Sequence, residues 1–235
     1  MLEVKGVMKS YGGVEILHDI AFSLQKGEVT GLLGENGAGK STLLQIIAGL
    51  ERADSGEVLL QGRSLTASDQ QRIGALIERP PLYGHLSAFD NLKVLALVRG
   101  IRNLRIEEVL QMVGLEDTRR KRAKFFSIGM RQRLGIGMAL LPDPELLLLD
   151  EPTSGLDPVG VDQFIELIDR LQEQGTTVLL SSHNLLEIQA LAPRVIMLQG
   201  GRIIFDGSSG DLRHLQSLFA PSCETRHDRH EDRLR

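Results

Sequence analysis

One short segment limits this chain more than any other. Gly34, Glu35, Asn36, Gly37, Ala38, Gly39, Lys40 and Ser41 fit the spacing G-x-x-x-x-G-K-[ST] at every fixed position. They follow an apolar stretch with strand character near 28–33 and open a stretch of helical spacing near 40–49. The glycines let the backbone wrap closely, so that successive N–H groups and the helix N-terminus converge on one anion, the β-phosphate of a nucleoside triphosphate. Lys40 adds a positive charge, Ser41 a hydroxyl ligand for Mg²⁺, and Thr42 continues the first turn. The chain must therefore fold here as strand, tight loop and helix in that order. The loop alone does not separate transporters from GTPases, kinases or recombinases.

A second segment narrows the chemistry. The leucine run Leu146–Leu149 ends in Asp150 and Glu151, which suits a central parallel strand that releases its carboxylates at the sheet edge where ligands bind. Asp150 is expected to hold Mg²⁺, directly or through water. Glu151 is expected beside the γ-phosphate, where it would polarise the attacking water as general base.

Around these segments, short apolar runs bounded by glycines alternate with longer stretches of helical spacing, the pattern of an α/β protein. Strands are expected near 2–8, 15–24, 28–33, 56–61, 73–78, 145–150, 176–181, 194–198 and 202–206, and helices near 40–49, 88–99, 105–113, 129–141, 158–173, 184–191 and 209–218. The early strands are separated only by turns and the later ones by helices. An antiparallel layer beside a mostly parallel core follows from that, with residues 87–143 as an inserted helical subdomain. Residues 1–219 read as one domain. Residues 220–235 are too polar to offset their ordering entropy and are expected to form a disordered tail.

Composition removes several alternatives. The formal net charge is -4 with both signs interspersed, which argues against a nucleic-acid partner. No apolar run approaches the roughly 20 residues of a membrane-spanning helix, and the start lacks a signal-peptide pattern, so a cytoplasmic chain is expected. Cys223 is the single cysteine, which excludes an internal disulfide; with His227 and His230 it reads as part of a solvated tail rather than a metal site.

Between the phosphate loop and the acidic strand lies Phe126-Ser127-Ile128-Gly129-Met130-Arg131-Gln132-Arg133, separated from Asp150 by a helix and Pro142-Asp143-Pro144. That order resembles the ABC ATPase family, whose pattern there usually reads Leu-Ser-Gly-Gly-Gln. Ser127 and Gly129 match it; Phe126, Ile128 and Met130 depart. Ser154, Gly155, Leu156 and Asp157 resemble the family's dimer-contact loop, His183 after Ser181-Ser182 its switch histidine, and Tyr11 in Lys9-Ser10-Tyr11-Gly12 the aromatic residue that stacks on adenine. The resemblance spans nearly all of residues 2–219.

It implies a P-loop ATPase of ABC type that binds ATP and Mg²⁺, works as a homodimer or with a paired ATPase subunit, and drives integral membrane permease subunits from the cytoplasmic face of the cell membrane. Each ATP would lie between Tyr11, the phosphate loop and Asp150 of one chain and Ser127 and Gly129 of the other. Glu78 stands where the family usually has a glutamine near the metal's water shell. With the Phe-Ser-Ile-Gly-Met-Arg-Gln-Arg signature, it makes the chain similar to ATPases of bacitracin resistance and lantibiotic self-protection. The cargo implied is a peptide antibiotic or another hydrophobic compound; the alternative is a non-transporting ATPase that drives a membrane complex mechanically. Chromosome-maintenance ATPases carry a long coiled coil and ABC translation factors two cassettes, and this chain has neither.

Overall fold

Three glycine-bearing turns organise the antiparallel parts of the chain. β1 (Leu2–Tyr11) returns as β2 (Val14–Leu24) through Gly12 and Gly13, both at positive φ, with Tyr11 paired to Val14. β4 (Ser55–Leu60) pairs with β1 and returns through Gln61 and Gly62 as the short β5 (Arg63–Ser64). β9 (Arg194–Gln199) returns through Gly200 and Gly201 as β10 (Arg202–Ser208). Two left-handed residues between paired strands give the turn whose twist matches that of the strands. The computed structural model describes residues 1–118 and 121–214.

The first two hairpins form a four-stranded sheet in the order β2-β1-β4-β5. The rest build a six-stranded sheet in the order β10-β9-β3-β8-β7-β6, with β3 (Val29–Leu33), β6 (Ile73–Leu76), β7 (Leu146–Leu149) and β8 (Thr177–Ser182) running parallel to β9. The fold is thus α/β, with a mainly parallel sheet beside an antiparallel one. β7 shows why the sheet holds. Its four leucines are fully buried, and successive side chains go to opposite faces.

Leu147 and Leu149 join the cluster that contains the inserted helices, whereas Leu146 and Leu148 join the cluster between the two sheets. Each such leucine contributes roughly 1.5–3 kcal/mol by leaving water. The inter-sheet cluster also takes the buried face of α1 (Lys40–Ile47).

The inserted helices are α2 (Ala88–Arg99), α3 (Asn103–Met112) and α4 (Ile128–Leu140). Ser87 caps α2 by accepting from the Asp90 N–H, and Ser127 caps α4 by accepting from the Met130 N–H. α5 (Pro158–Glu173) and α6 (Leu185–Leu191) follow, with Asp157 and Asn184 as caps. Among the described residues, no helix is long and apolar enough to cross a membrane.

Several elements differ from expectation. β6 stops at Leu76 rather than 78, because Glu78 has φ 62, a left-handed conformation that a strand cannot continue through. β5 was not expected; two residues carry no periodicity and are defined only by their register with Leu59 and Leu60. β1 and β2 extend to meet at the Gly12–Gly13 turn. The last expected helix, 209–218, is a 3-10 turn over Ser209–His214, with the Ser208 hydroxyl accepting from the Gly210 N–H; its remainder and the expected tail lie outside the described residues.

Candidate active site

The phosphate loop is the connection from β3 to α1. All five residues of β3 are buried, so the strand delivers the loop from the centre of the sheet. Gly37 and Gly39 have φ of 83° and 102°, and a Cβ on Gly39 would lie 2.7 Å from Leu17 Cδ2 and 3.1 Å from the Ile16 carbonyl oxygen. Glycine is required there by both conformation and space. Lys40 Nζ donates to the carbonyls of Gly34 at 2.7 Å and Glu35 at 3.2 Å, which ties the two ends of the loop together. The first N–H groups of α1 have no acceptor within the helix, and no side chain caps it at Gly39. They are available to an anion, as are the helix dipole and the ammonium group.

The acidic edge lies alongside. Asp150, at the end of β7, accepts from Ser41 Oγ at 2.6 Å and from Ser181 Oγ at 2.5 Å. Among the described residues, no group of three or more His, Cys, Asp or Glu is placed to hold a metal. Beside the loop the fold brings together the Ser41 hydroxyl and the Asp150 carboxylate. Both are hard oxygen donors, and they fit Mg²⁺, which keeps several waters and takes phosphate oxygens.

Glu151 has φ 48. Its Oε2 is 2.9 Å from His183 Nδ1, and its Oε1 is 3.3 Å from Lys40 Nζ. The second contact is an ion pair without hydrogen-bond geometry; Oε1 is buried and has no hydrogen-bond partner among the described residues. A buried carboxylate oxygen with unused acceptor capacity, beside an anion-ready loop, is suited to receive a proton from a bound water.

Tyr11, Ile16, residues 35–37 and 39–42, Asp150 and Glu151 line one cleft of about 320 Å³. Tyr11 is half-exposed at its rim, with Lys9 Nζ 4.9 Å from the ring centroid. Lys9 is itself held by Glu51 Oε1 and the Arg52 carbonyl, both at 2.8 Å. The hydrogen bond to Glu51 raises the Lys9 pKa and lowers that of Glu51.

The structure thus joins Tyr11, the loop, Asp150, Glu151 and His183. It places Ser127 and Gly129 apart, where they do not line the cleft. Ser127 is exposed at the start of α4, and a Cβ on Gly129 would meet the Gly155 carbonyl oxygen at 3.1 Å, so this helix start packs on the Ser154–Asp157 loop. Leu156 packs against the core, and Asp157 accepts from the Gly160 N–H at 2.8 Å. Glu78 also lies off the cleft lining, with Gln45 Nε2 donating to its carboxylate at 3.3 Å.

Three supporting residues went unassigned in the sequence: Ser181, Gln132 and Glu187. Gln132 Nε2 donates to the Glu151 and Pro152 carbonyls at 3.4 and 3.2 Å, while Glu187 accepts from Thr153 and Ser182 at 2.9 Å each. The signal for Ser181 was its place opposite Asp150 on the neighbouring strand, which becomes visible only once β7 and β8 are paired.

A profile of the family described as ABC transporter matches residues 17–154. The lantibiotic transport ATP-binding protein SrtF of Streptococcus pyogenes is 41% identical over 219 residues, covering 93% of this chain and 96% of that protein. The bacitracin transport ATP-binding protein BcrA of Enterococcus faecalis is 36% identical over 217 residues, covering 90% and 70%. Among solved structures, the ATP-binding cassette MJ0796 in a dimeric post-hydrolysis state bound to ADP and Pi matches with a TM-score of 0.82 at 27% identity, over 89% of this chain and 99% of that one. With a nucleotide loop, an acidic strand end and a histidine gathered at one sheet edge, and with these relatives along its length, the chain belongs to the ABC transporter family as the ATP-binding, ATP-hydrolysing subunit that energises a separate membrane permease.

Proposed function

We propose that ATP is hydrolysed in this cleft with Glu151 as general base, and that the cleft is completed by a second ATPase subunit. The observation that carries this reading is the fixing of the Glu151 carboxylate between Lys40 Nζ and His183 Nδ1, next to the unpaired N–H groups of α1. Residues 34–42 cradle the phosphates, and Tyr11 offers a ring for the adenine. Ser41 and Asp150 hold Mg²⁺, which when bound neutralises phosphate charge. Glu78, off the cleft lining, would reach only the water shell of that metal. Glu151 takes the proton of the attacking water, and His183 orients the carboxylate while meeting the γ-phosphate.

Ser127 and Gly129 of the second subunit close on the γ-phosphate, with Ser154, Gly155, Leu156 and Asp157 lining the contact between subunits. The exposure of Ser127 on a helix start away from the cleft of its own chain supports that arrangement. ATP contacts favour the closed pair and hydrolysis removes them, so nucleotide state sets the equilibrium that moves the permease. The subunit acts at the cytoplasmic face of the membrane, with residues 87–143 as the subdomain that carries the motion. Its cargo is a peptide antibiotic or other hydrophobic compound, a reading supported by relatives named for lantibiotic and bacitracin transport.

The test is the mass of the Glu151→Gln protein by light scattering with and without Mg-ATP. A homodimer that appears with ATP and is lost with an added Ser127→Arg change supports the composite site. ATP binding without pairing, even when the permease is present, would overturn it. Bacitracin and lantibiotic sensitivity of cells expressing the subunit with its permease tests the cargo.

A further inference from the structure

We infer that Ser181 is a positioning residue for hydrolysis, whose one hydroxyl sets both the Asp150 carboxylate and the main chain of Glu151. The inference rests on Glu151 being the base. Ser181 is completely buried on β8, and the β7–β8 register, in which Leu149 pairs with Leu180, continues to place it opposite Asp150. Its O–H donates to Asp150 Oδ1 at 2.5 Å, and its oxygen accepts from the Glu151 N–H at 3.0 Å. Both capacities of the hydroxyl are used on the two carboxylate residues, and at this burial water has no access to replace it.

Glu151 needs such support because a glutamate with φ 48 occupies a conformation that side chains disfavour. Gln132, from α4, provides the opposite hold on the Glu151 and Pro152 carbonyls. The carboxylate is aimed at the cleft by a backbone gripped from two sides, and the serine side of that grip is shared with the metal-binding aspartate. The remaining Asp150 oxygen, Oδ2, faces Ser41. Removing the Ser181 hydroxyl frees Asp150 to rotate and Glu151 to relax together, which displaces the base without removing any group that touches ATP.

The experiment uses the full chain and measures kcat, KM and ATP affinity for Ser181→Ala, Ser181→Cys and Ser181→Thr, alone and combined with Glu151→Gln. The alanine change is expected to lower kcat by roughly 10- to 100-fold, the scale of a small misplacement of a reacting group, with ATP affinity measured without Mg²⁺ unchanged. Cysteine, which keeps the volume and loses the strong donor, should behave like alanine if alanine fails to fold. Threonine, which keeps the hydroxyl, should recover most of the rate.

In the Glu151→Gln background, Ser181→Ala should add clearly less than its loss in the wild type, because the part of its effect that runs through Glu151 is already gone. Wild-type kcat in the alanine and cysteine proteins, or equal loss with threonine, overturns the inference. A full extra loss on top of Glu151→Gln also overturns it. Wild-type turnover by Glu151→Gln alone overturns the base assignment instead, and is read separately from the serine variants.

Discussion

The cleft and the start of α4 carry comparable chemistry in opposite states. In the cleft, Lys40 and Asp150 are about 5% and 7% exposed, and their polar atoms are tied into the fold by Gly34, Ser41 and Ser181. At the start of α4, Ser127 is exposed, and the neighbouring Ile128 is 69% exposed. One region is built by its own chain; the other presents a capped helix N-terminus to solvent. The difference teaches that completeness within a chain and chemical equipment are separate properties: the second region has donors and a dipole, but lies away from the cleft that its own chain builds.

The strongest way to break this comparison is to damage each region and ask which measurement follows. Glu151→Gln is expected to slow phosphate release by about 10²- to 10⁴-fold, with ATP affinity measured by nucleotide fluorescence little changed. Ser127→Arg is expected to lower turnover by about 10²- to 10³-fold, the scale of losing a preorganised donor to the transferring group. ATP affinity of the isolated subunit should remain that of the wild type. Mixing the Ser127→Arg chain with a Lys40→Ala chain should restore turnover, since a head-to-tail pair then contains one intact site; no recovery would mean that the two regions serve the same subunit.

Tyr11→Ala sharpens the comparison at the rim of the cleft. Loss of roughly 1–3 kcal/mol of stacking corresponds to about a 5- to 150-fold rise in Kd for ATP, with kcat at saturation near wild type. The smallest effect tests a region outside both. Asp69 accepts from the Thr66 hydroxyl and N–H and pairs with Arg63, and these contacts lower its pKa from 3.8 to about 2.

The unfolded chain therefore binds the extra proton between those values, and the stabilisation is full above about pH 4 and lost as pH falls toward 2. The difference in urea midpoint between wild type and Asp69→Asn should shrink over that window, while the ratio of their ATP affinities at neutral pH stays near one.

The contrast between regions was partly legible in the sequence. The phosphate loop and the acidic strand end are local patterns whose residues are adjacent in the chain, and the division into antiparallel and parallel strands followed from where turns and helices separate them. The antiparallel hairpins are marked by glycines that the turns require. Contacts set by tertiary pairing were not legible. Ser181 meets residues 31 and 30 positions away, and Gln132 reaches carbonyls 19 and 20 positions away.

Backbone reversals were hidden for a different reason. The left-handed conformations of Glu78 and Glu151 run against the preference of glutamate, so only surrounding structure specifies them. The short β5 and the 3-10 turn at Ser209–His214 depend similarly on neighbours rather than on periodicity.

The strand order also governs when the site can come into being. β8 is the fourth of the five parallel strands along the chain, yet it is laid between β3 and β7, and it brings Ser181 and, just beyond its end, His183. A growing polypeptide therefore carries the complete phosphate-loop sequence through most of its synthesis without a finished nucleotide site. Closing pairings between residues near 30 and residues near 180 is slow because of the chain entropy involved. Until that closure, the leucine-rich β7 lacks one neighbour. Nucleotide protection during synthesis should begin only after β8 has emerged and docked, which makes chaperone demand greatest in the interval between the two strands' appearance.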